Sequence, residues 1–345
     1  MVDVQEGLRR YLSPDVAQAL GSVRRRIRRT AQSATARHHR ADERNSSRAD
    51  RQATPVPGAG VVRAPPVSRI PAVNVASVPQ RSPLRYPGGK TWLIPHIREW
   101  LGDGCELLAE PFAGGGIVSL TAVMENLADR AIMVELDRDV AAFWRAALEQ
   151  GGKLADMVLG FEVTAESVGE LECNPSADAL AHGFRTLVLN RTRRGGILAP
   201  GAALTKNGEN GNGVGSRWYP ETLARRLEAI SAYRDRIAFY EGDGVAFLES
   251  LAHVSDIRWF IDPPYTASGG KRAGSRLYAC AEVPHRRIFE ALADSPADFL
   301  MTYDCSEEIQ ELAAEHRFNV ARVEMKNGHH ALIPELIITR RSLFA

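Results

Sequence analysis

Apolar residues along this chain come in two patterns that alternate. Short runs bounded by polar residues read as strands buried on both faces of a parallel sheet. They are Leu107-Leu108-Ala109, Ala131-Ile132-Met133-Val134, Ile237-Ala238-Phe239-Tyr240, Ile257 to Ile261 and Phe299-Leu300-Met301-Thr302-Tyr303. Between them lie stripes with helical spacing. Leu93, Ile94, Ile97, Trp100 and Leu101 make one, with Pro95 in its first turn. Others fall at 117–124, 137–160 (Val140, Phe143, Trp144, Ala147, Leu148), 178–192, 222–233 (Leu223, Leu227, Ile230) and after His285 (Ile288, Phe289, Leu292). Strands alternating with helices predict an α/β fold around a mostly parallel sheet. The last two apolar runs, 318–325 and 336–339, flank Lys326-Asn327-Gly328-His329-His330. Asn-Gly between strand-like runs predicts an antiparallel hairpin at the end of the sheet.

Residues 1–80 depart from this pattern. Ser13-Pro14-Asp15 can start one helix, running to about Arg29. After it the segment is polar, then rich in Pro, Val and Ala, as an extended linker would be. These residues hold 14 arginines and 6 acidic residues, a net charge of +8, against −7 for the remainder. They predict a basic, disordered extension that either adds phosphate attraction or is a solvated appendage. Asp3, Glu6 and Asp15 argue against an organelle transit peptide.

Composition narrows the class. Of the 345 residues, 44% are hydrophobic and 25% charged, which is ordinary for a water-soluble protein. No long apolar run predicts a membrane span. Four separated cysteines, Cys105, Cys173, Cys280 and Cys305, argue against a zinc site and fit reduced thiols in a cytoplasm.

The strand at 257–261 runs into Asp262-Pro263-Pro264-Tyr265. Neither proline can donate to a sheet ladder, so the chain must leave the sheet there. Ligands of open α/β sheets bind outside the carboxyl ends of strands. A carboxylate, freed carbonyls and an aromatic ring suit a planar ligand with an exocyclic amino group. Asp262 and the Pro263 carbonyl can each accept one N–H, and Tyr265 can lie against the ring. A bare Pro-Pro turn with Tyr265 as packing is the plainer alternative.

Two glycine elements come earlier. Arg85-Tyr86-Pro87-Gly88-Gly89-Lys90 precedes a helix, where an anion is favoured. Glu110-Pro111-Phe112-Ala113-Gly114-Gly115-Gly116 joins a strand to a helix, and the next strand ends at Glu135. Strand, glycine loop, helix, strand, acid is the order of a nucleotide-binding unit, and Glu135 stands where a ribose-binding acid belongs. The loop does not spell Gly-x-Gly-x-x-Gly. A hydride-transferring enzyme stays open on these residues alone, but S-adenosylmethionine fits better. Asp243, after the 237–240 run, can bond the cofactor's adenine. Arg191, Arg193, Arg194, Lys206 and Arg217 surround a Gly/Asn-rich stretch that predicts a flexible basic loop suited to nucleic acid. Residues 266–282, with five Gly and Arg positions among them, predict a loop that closes over substrate.

Taken in order, the Tyr86–Lys90, Glu110–Gly116 and Asp262–Tyr265 elements resemble the three motifs of the Dam-like DNA adenine-N6 methyltransferases, over about residues 83–340. The resemblance implies a Rossmann-like class I methyltransferase sheet with an antiparallel C-terminal hairpin, at 81–164 and 236–345. It implies a mainly helical target-recognition insertion at 165–235. S-adenosyl-L-methionine would be the cofactor, with Tyr86, Lys90, Phe112, Gly114, Gly116, Glu135, Asp243 and Asp262 around it. Asp262, Pro263, Pro264 and Tyr265 would carry catalysis on an adenine flipped from double-stranded DNA. The family often has Trp and Ala at the places of Tyr86 and Pro87, and Asp at that of Glu135. Also implied are a monomer without metal, and a bacterial, phage or prophage origin, with or without a restriction partner. The competing readings are N-methylation of RNA or of a protein amide, and a catalytically silent DNA-binding relative.

Overall fold

The structure is a computed structural model that describes residues 68–70, 77–86, 88–174, 178–199, 201–208, 211–264, 283–326 and 332–343. The expected helix at 13–29 and the loop at 266–282 lie outside these residues. In chain order the elements begin with β1 (Ser68–Ile70), α1 (Ile94–Leu101), β2 (Cys105–Glu110), α2 (Ile117–Met124) and β3 (Ala128–Glu135). Five helices follow: α3 (Arg138–Glu149), α4 (Gly151–Gly160), α5 (Ala165–Cys173), α6 (Ala179–Thr192) and α7 (Pro220–Ala232). Then come β4 (Ile237–Glu241), α8 (Gly244–Leu251), β5 (Ile257–Ile261) and α9 (His285–Asp294). The last elements are β6 (Asp298–Asp304), α10 (Glu307–Glu315), β7 (Asn319–Lys326) and β8 (Leu332–Thr339).

One sheet takes the order β1-β7-β8-β6-β5-β2-β3-β4. Every neighbouring pair is parallel except those of β8, which lies antiparallel between β6 and β7. This is the Rossmann-like methyltransferase sheet with its antiparallel terminal hairpin, as the sequence implied. The turn of that hairpin, 327–331, is outside the described residues.

The strands are apolar on both faces because helices cover both. Leu107 and Ala109 of β2 point to a core shared with Trp259, Phe299, Leu248 of α8, Ile288 of α9 and Leu312 of α10. Leu108 between them points the other way, to Phe260, Leu300, Ile94 and Ile97 of α1, and Val118 of α2. Ala131 and Met133 of β3 pack with Phe143 and Trp144 of α3, Leu154 of α4, Leu187 of α6 and Leu227 of α7.

Four expectations change. The helix expected over 137–160 is two helices, broken at Gln150 with φ −136°. A Cβ on the next residue, Gly151, would sit 2.7 Å from Ser231 Cβ and 3.0 Å from the Leu227 carbonyl, so α7 crosses too close for a side chain there. Helices α5, α8 and α10 were not read from the sequence; each is only eight or nine residues long. The segment read as an extension contributes β1, which pairs with β7, and Val78, which is buried. The stretch read as a flexible loop is braced at 192–205: Arg194 N–H donates to Ala203 O at 3.0 Å and Thr205 N–H to Thr192 O at 2.9 Å.

Gly183 sets how closely α6 meets α3. A Cβ there would lie 2.5 Å from Ala146 Cβ and 2.8 Å from Ala142 O on α3. Helix propensity favours Ala over Gly by about 1 kcal/mol, but overpacking costs about 1–3 kcal/mol. We therefore expect Gly183→Ala to lower the urea midpoint at unchanged m-value. A raised midpoint would show that α6 does not press on α3.

Candidate active site

Chain direction through the sheet reverses beside β2, which pairs with β3 on one side and β5 on the other. A crevice opens at such a switch point, outside the strands' carboxyl ends. Glu110 ends β2, Glu135 ends β3, and Asp262 follows β5. All three border a cavity of about 600 Å³. Tyr86, Lys90, Phe112, Gly114, Gly116, Asp243, Pro263 and Pro264 also line it. Tyr265, expected beside them, lies outside the described residues.

The glycine loop is clamped on both sides. Gly114 and Gly116 have φ of +47° and +61°. Side chains at these positions would be strained and would also collide. A Cβ on Gly114 would meet the Tyr86 ring at 2.8 Å, and one on Gly116 would meet Met133 Cε and the Trp144 ring at 2.6 Å. Trp144 Nε1–H donates to the Gly114 carbonyl at 2.9 Å. The loop therefore lies sandwiched between Tyr86 and Trp144, its backbone fixed before any ligand arrives.

Glu135 is buried, and backbone donors meet both of its oxygens. Gly114 N–H reaches Oε2 at 2.8 Å and Asp137 N–H reaches Oε1 at 2.9 Å. Burial raises its carboxyl to about 7, against the lowering by these bonds. Each oxygen keeps capacity for a further donor such as a hydroxyl. Asp243 caps α8, accepting from Val245 N–H at 2.8 Å and Ala246 N–H at 3.3 Å.

Lys90 was expected among the cofactor contacts. It lines the cavity, but its ammonium lies 3.0 Å from Asp262 Oδ1, donates to Gly88 O at 2.8 Å, and stands 3.7 Å from Glu335 Oε2. Burial works to lower its pKa, and the two carboxylates outweigh that and hold it above the usual value. Thr302 Oγ1 donates to the same Asp262 oxygen at 2.7 Å. Asp262 is thus oriented by two donors, one from the turn before α1 and one from within β6.

Sequence reasoning passed over three residues here. Glu335 sits in the terminal hairpin strand, and an acid within the apolar run of β8 was the available signal. Thr302 carried no signal, since Thr is common in strands. Glu110 was quoted only as part of the loop motif. It is 3% exposed, accepts from Ser119 N–H at 3.0 Å, and burial pushes its carboxyl up to about 8.

The basic candidates separate. Arg191 and Arg217 line the cavity, and Arg191 Nε donates to the Arg217 carbonyl at 3.0 Å. Arg194 and Lys206 are exposed. Arg193 is buried, with its guanidinium bonded to Leu198 O at 3.0 Å and Glu172 Oε1 at 2.6 Å. It is therefore a bracing residue within the fold. Arg226, not singled out before, also lines the cavity and donates to Ser82 O at 2.9 Å. Among the described residues there is no cluster of metal-ligating side chains, and no helix is long and apolar enough to cross a membrane.

Residues 86–170 match the family model of the D12 class N6 adenine-specific DNA methyltransferases, so the expected resemblance holds over that segment. A DNA N-6-adenine-methyltransferase of Escherichia phage P1 is 28% identical over 200 residues, 56% of this chain and 25% of that protein. The chain thus spans about a quarter of the length of that relative. Among solved structures, the rRNA methyltransferase AviRa of Streptomyces viridochromogenes aligns at TM-score 0.34 and 15% identity, over 74% of this chain and 86% of that one. A precorrin-6y C5,15-methyltransferase of Geobacter metallireducens aligns at TM-score 0.33 and 13% identity, over 75% and 91%. Nothing about substrate follows from likenesses of that size.

The buried carboxyl of Glu110 predicts a pH dependence of stability. Unfolded, it loses its proton near pH 4.5; folded, it keeps it to about 8. The folded state binds more protons in that window, so this group's contribution falls as pH rises. Glu110→Gln removes it. Chemical denaturation from pH 5 to 8 should show the variant gaining on the wild type by up to a few kcal/mol. A constant difference across the window would mean that Glu110 is ionised in the fold.

Proposed function

We infer that this chain is a working D12-class enzyme that transfers a methyl group from S-adenosyl-L-methionine to N6 of adenine in double-stranded DNA. The observation that carries the reading is the meeting, at one cavity, of Asp262-Pro263-Pro264 with the clamped glycine loop and buried Glu135.

The residues present fit the cofactor. Tyr86, Gly114 and Gly116 line the cavity beside buried Glu135, whose two oxygens each keep capacity for a hydroxyl donor. Glu135 would take the ribose hydroxyls, and Asp243 and Phe112 the adenine end. When bound, the cofactor supplies an electrophilic methyl group on sulfur. The chain's own part is acceptance and orientation. Asp262 and the Pro263 carbonyl would accept the two amino hydrogens of an extruded adenine and draw its nitrogen lone pair out of ring conjugation. Tyr265 would stack on the base. Extruding the base costs roughly a few kcal/mol, and fixed placement then supplies much of the acceleration. Arg191, Arg194, Lys206 and Arg217 are proposed DNA contacts within a recognition region at 165–235, with residues 81–164 and 236–345 as the catalytic part. A basic segment at 1–80 would add sequence-independent attraction.

Methyl transfer from labelled S-adenosylmethionine to unmodified duplex DNA, followed by digestion to nucleosides, tests this. Label should appear in N6-methyladenosine. Transfer to RNA or protein instead would overturn the substrate, and no cofactor binding would overturn the reaction. Asp262→Ala and the volume-keeping Asp262→Asn should each lower turnover by about 10²–10³-fold or more, with the fold retained but the melting temperature lowered by the loss of the carboxylate 3.0 Å from buried Lys90. Wild-type turnover in either variant would sink the role given to Asp262.

A further inference from the structure

Glu335 is 4% exposed, in the strand inserted between β6 and β7. A buried carboxylate is costly unless a cation compensates it. The cation near it is Lys90, 3.7 Å away. Lys90 in turn is 3.0 Å from Asp262, closer than to Glu335. One buried ammonium therefore serves two carboxylates, and one of the two is the acceptor proposed above.

This matters because an ammonium held against a single carboxylate weakens that carboxylate as an acceptor for anything else. Shared between two, it weakens each less. We propose that Glu335 is a positioning residue for methyl transfer: through Lys90 it draws positive charge partly away from Asp262, keeping Asp262 a strong acceptor for the substrate's amino group. The inference rests on the reading that Asp262 accepts from that group.

The groups facing Glu335 come from several elements. Lys90 comes from the turn before α1, and Asp262 from beyond β5. Asp304 is its register partner on β6. Cys305 lies beyond β6, with Arg322 of β7 acting on that thiol. Burial raises the Glu335 carboxyl to about 7, with Lys90 pulling it back down. Below that pH Glu335 is neutral and pulls less on the ammonium, so more of its charge bears on Asp262. Turnover should then fall as pH drops through the neutral range. Glu110 and Glu135 have carboxyls raised to about 8 and about 7, so a pH limb by itself does not identify Glu335. The variant does.

The experiment is single-turnover methylation of duplex DNA by the full chain from pH 6 to 8.5, wild type beside Glu335→Gln. The variant should lose turnover at pH 8 on the order of tenfold, the size of one pK unit of differential interaction. Its KM values for DNA and cofactor should stay within about twofold, since uniform binding is untouched. Its acid limb should be shallower than the wild type's, keeping only what Glu110 and Glu135 set. A variant with the wild-type limb, or one that loses KM and turnover together, overturns the inference. Should Glu335→Gln fail to fold, Glu335→Asp takes its place: it keeps the charge and must keep the limb, and losing the limb counts against the proposal. A wild type inactive on DNA would overturn the functional reading and this inference with it. An active wild type whose profile matches the variant's overturns the inference alone.

Discussion

An ammonium taken out of water costs several kcal/mol unless carboxylates surround it. Lys90 meets that condition through residues that are distant in sequence. Asp262 lies beyond a parallel strand and Glu335 within the antiparallel one, and Glu335 reaches it because β8 is inserted between β6 and β7. Removing any of these elements would leave an unpaired buried charge. The turn before α1, the end of β5 and the terminal hairpin are therefore held to one another by electrostatics as well as by packing. The orientation of Asp262 is a product of that linkage.

The other half of the site depends on steric exclusion. Met133 and Trp144 beneath the glycine loop and Tyr86 above it leave no room for a Cβ. The loop's backbone amide at Gly114 is spent on Glu135, which fixes that carboxylate. Glu110 and Glu135, on the cavity wall, have carboxyls raised by burial. A cavity with carboxyls near neutrality holds less negative charge than its acid count suggests.

The helices between β3 and β4 belong to the same body. Leu187 of α6 and Leu227 of α7 share a core with Met133 of the sheet. Their ends place Arg191 and Arg217 on the cavity wall. The part of the cavity wall that these helices supply is therefore held to the sheet by a shared core.

The alternation of buried runs and stripes determined the α/β class, and it identified every strand from β2 to β6 and the terminal hairpin. Those patterns are local: period and burial on both faces can be read from neighbours in sequence. The three motif elements were legible for the same reason, since each needs a particular residue type at a fixed backbone position. Helices α8 and α10 were not read, although α1 and α2, equally short, were: those two are flagged by the glycine elements that precede them. Nor was the break at Gln150, which depends on how closely α7 crosses Gly151. Tertiary structure alone decided that Arg193 braces the fold while Arg191 and Arg217 face the cavity. It alone brought Glu335 to Lys90. Charge pairing across 245 positions has no periodic trace in sequence; it exists only once the strands are in order.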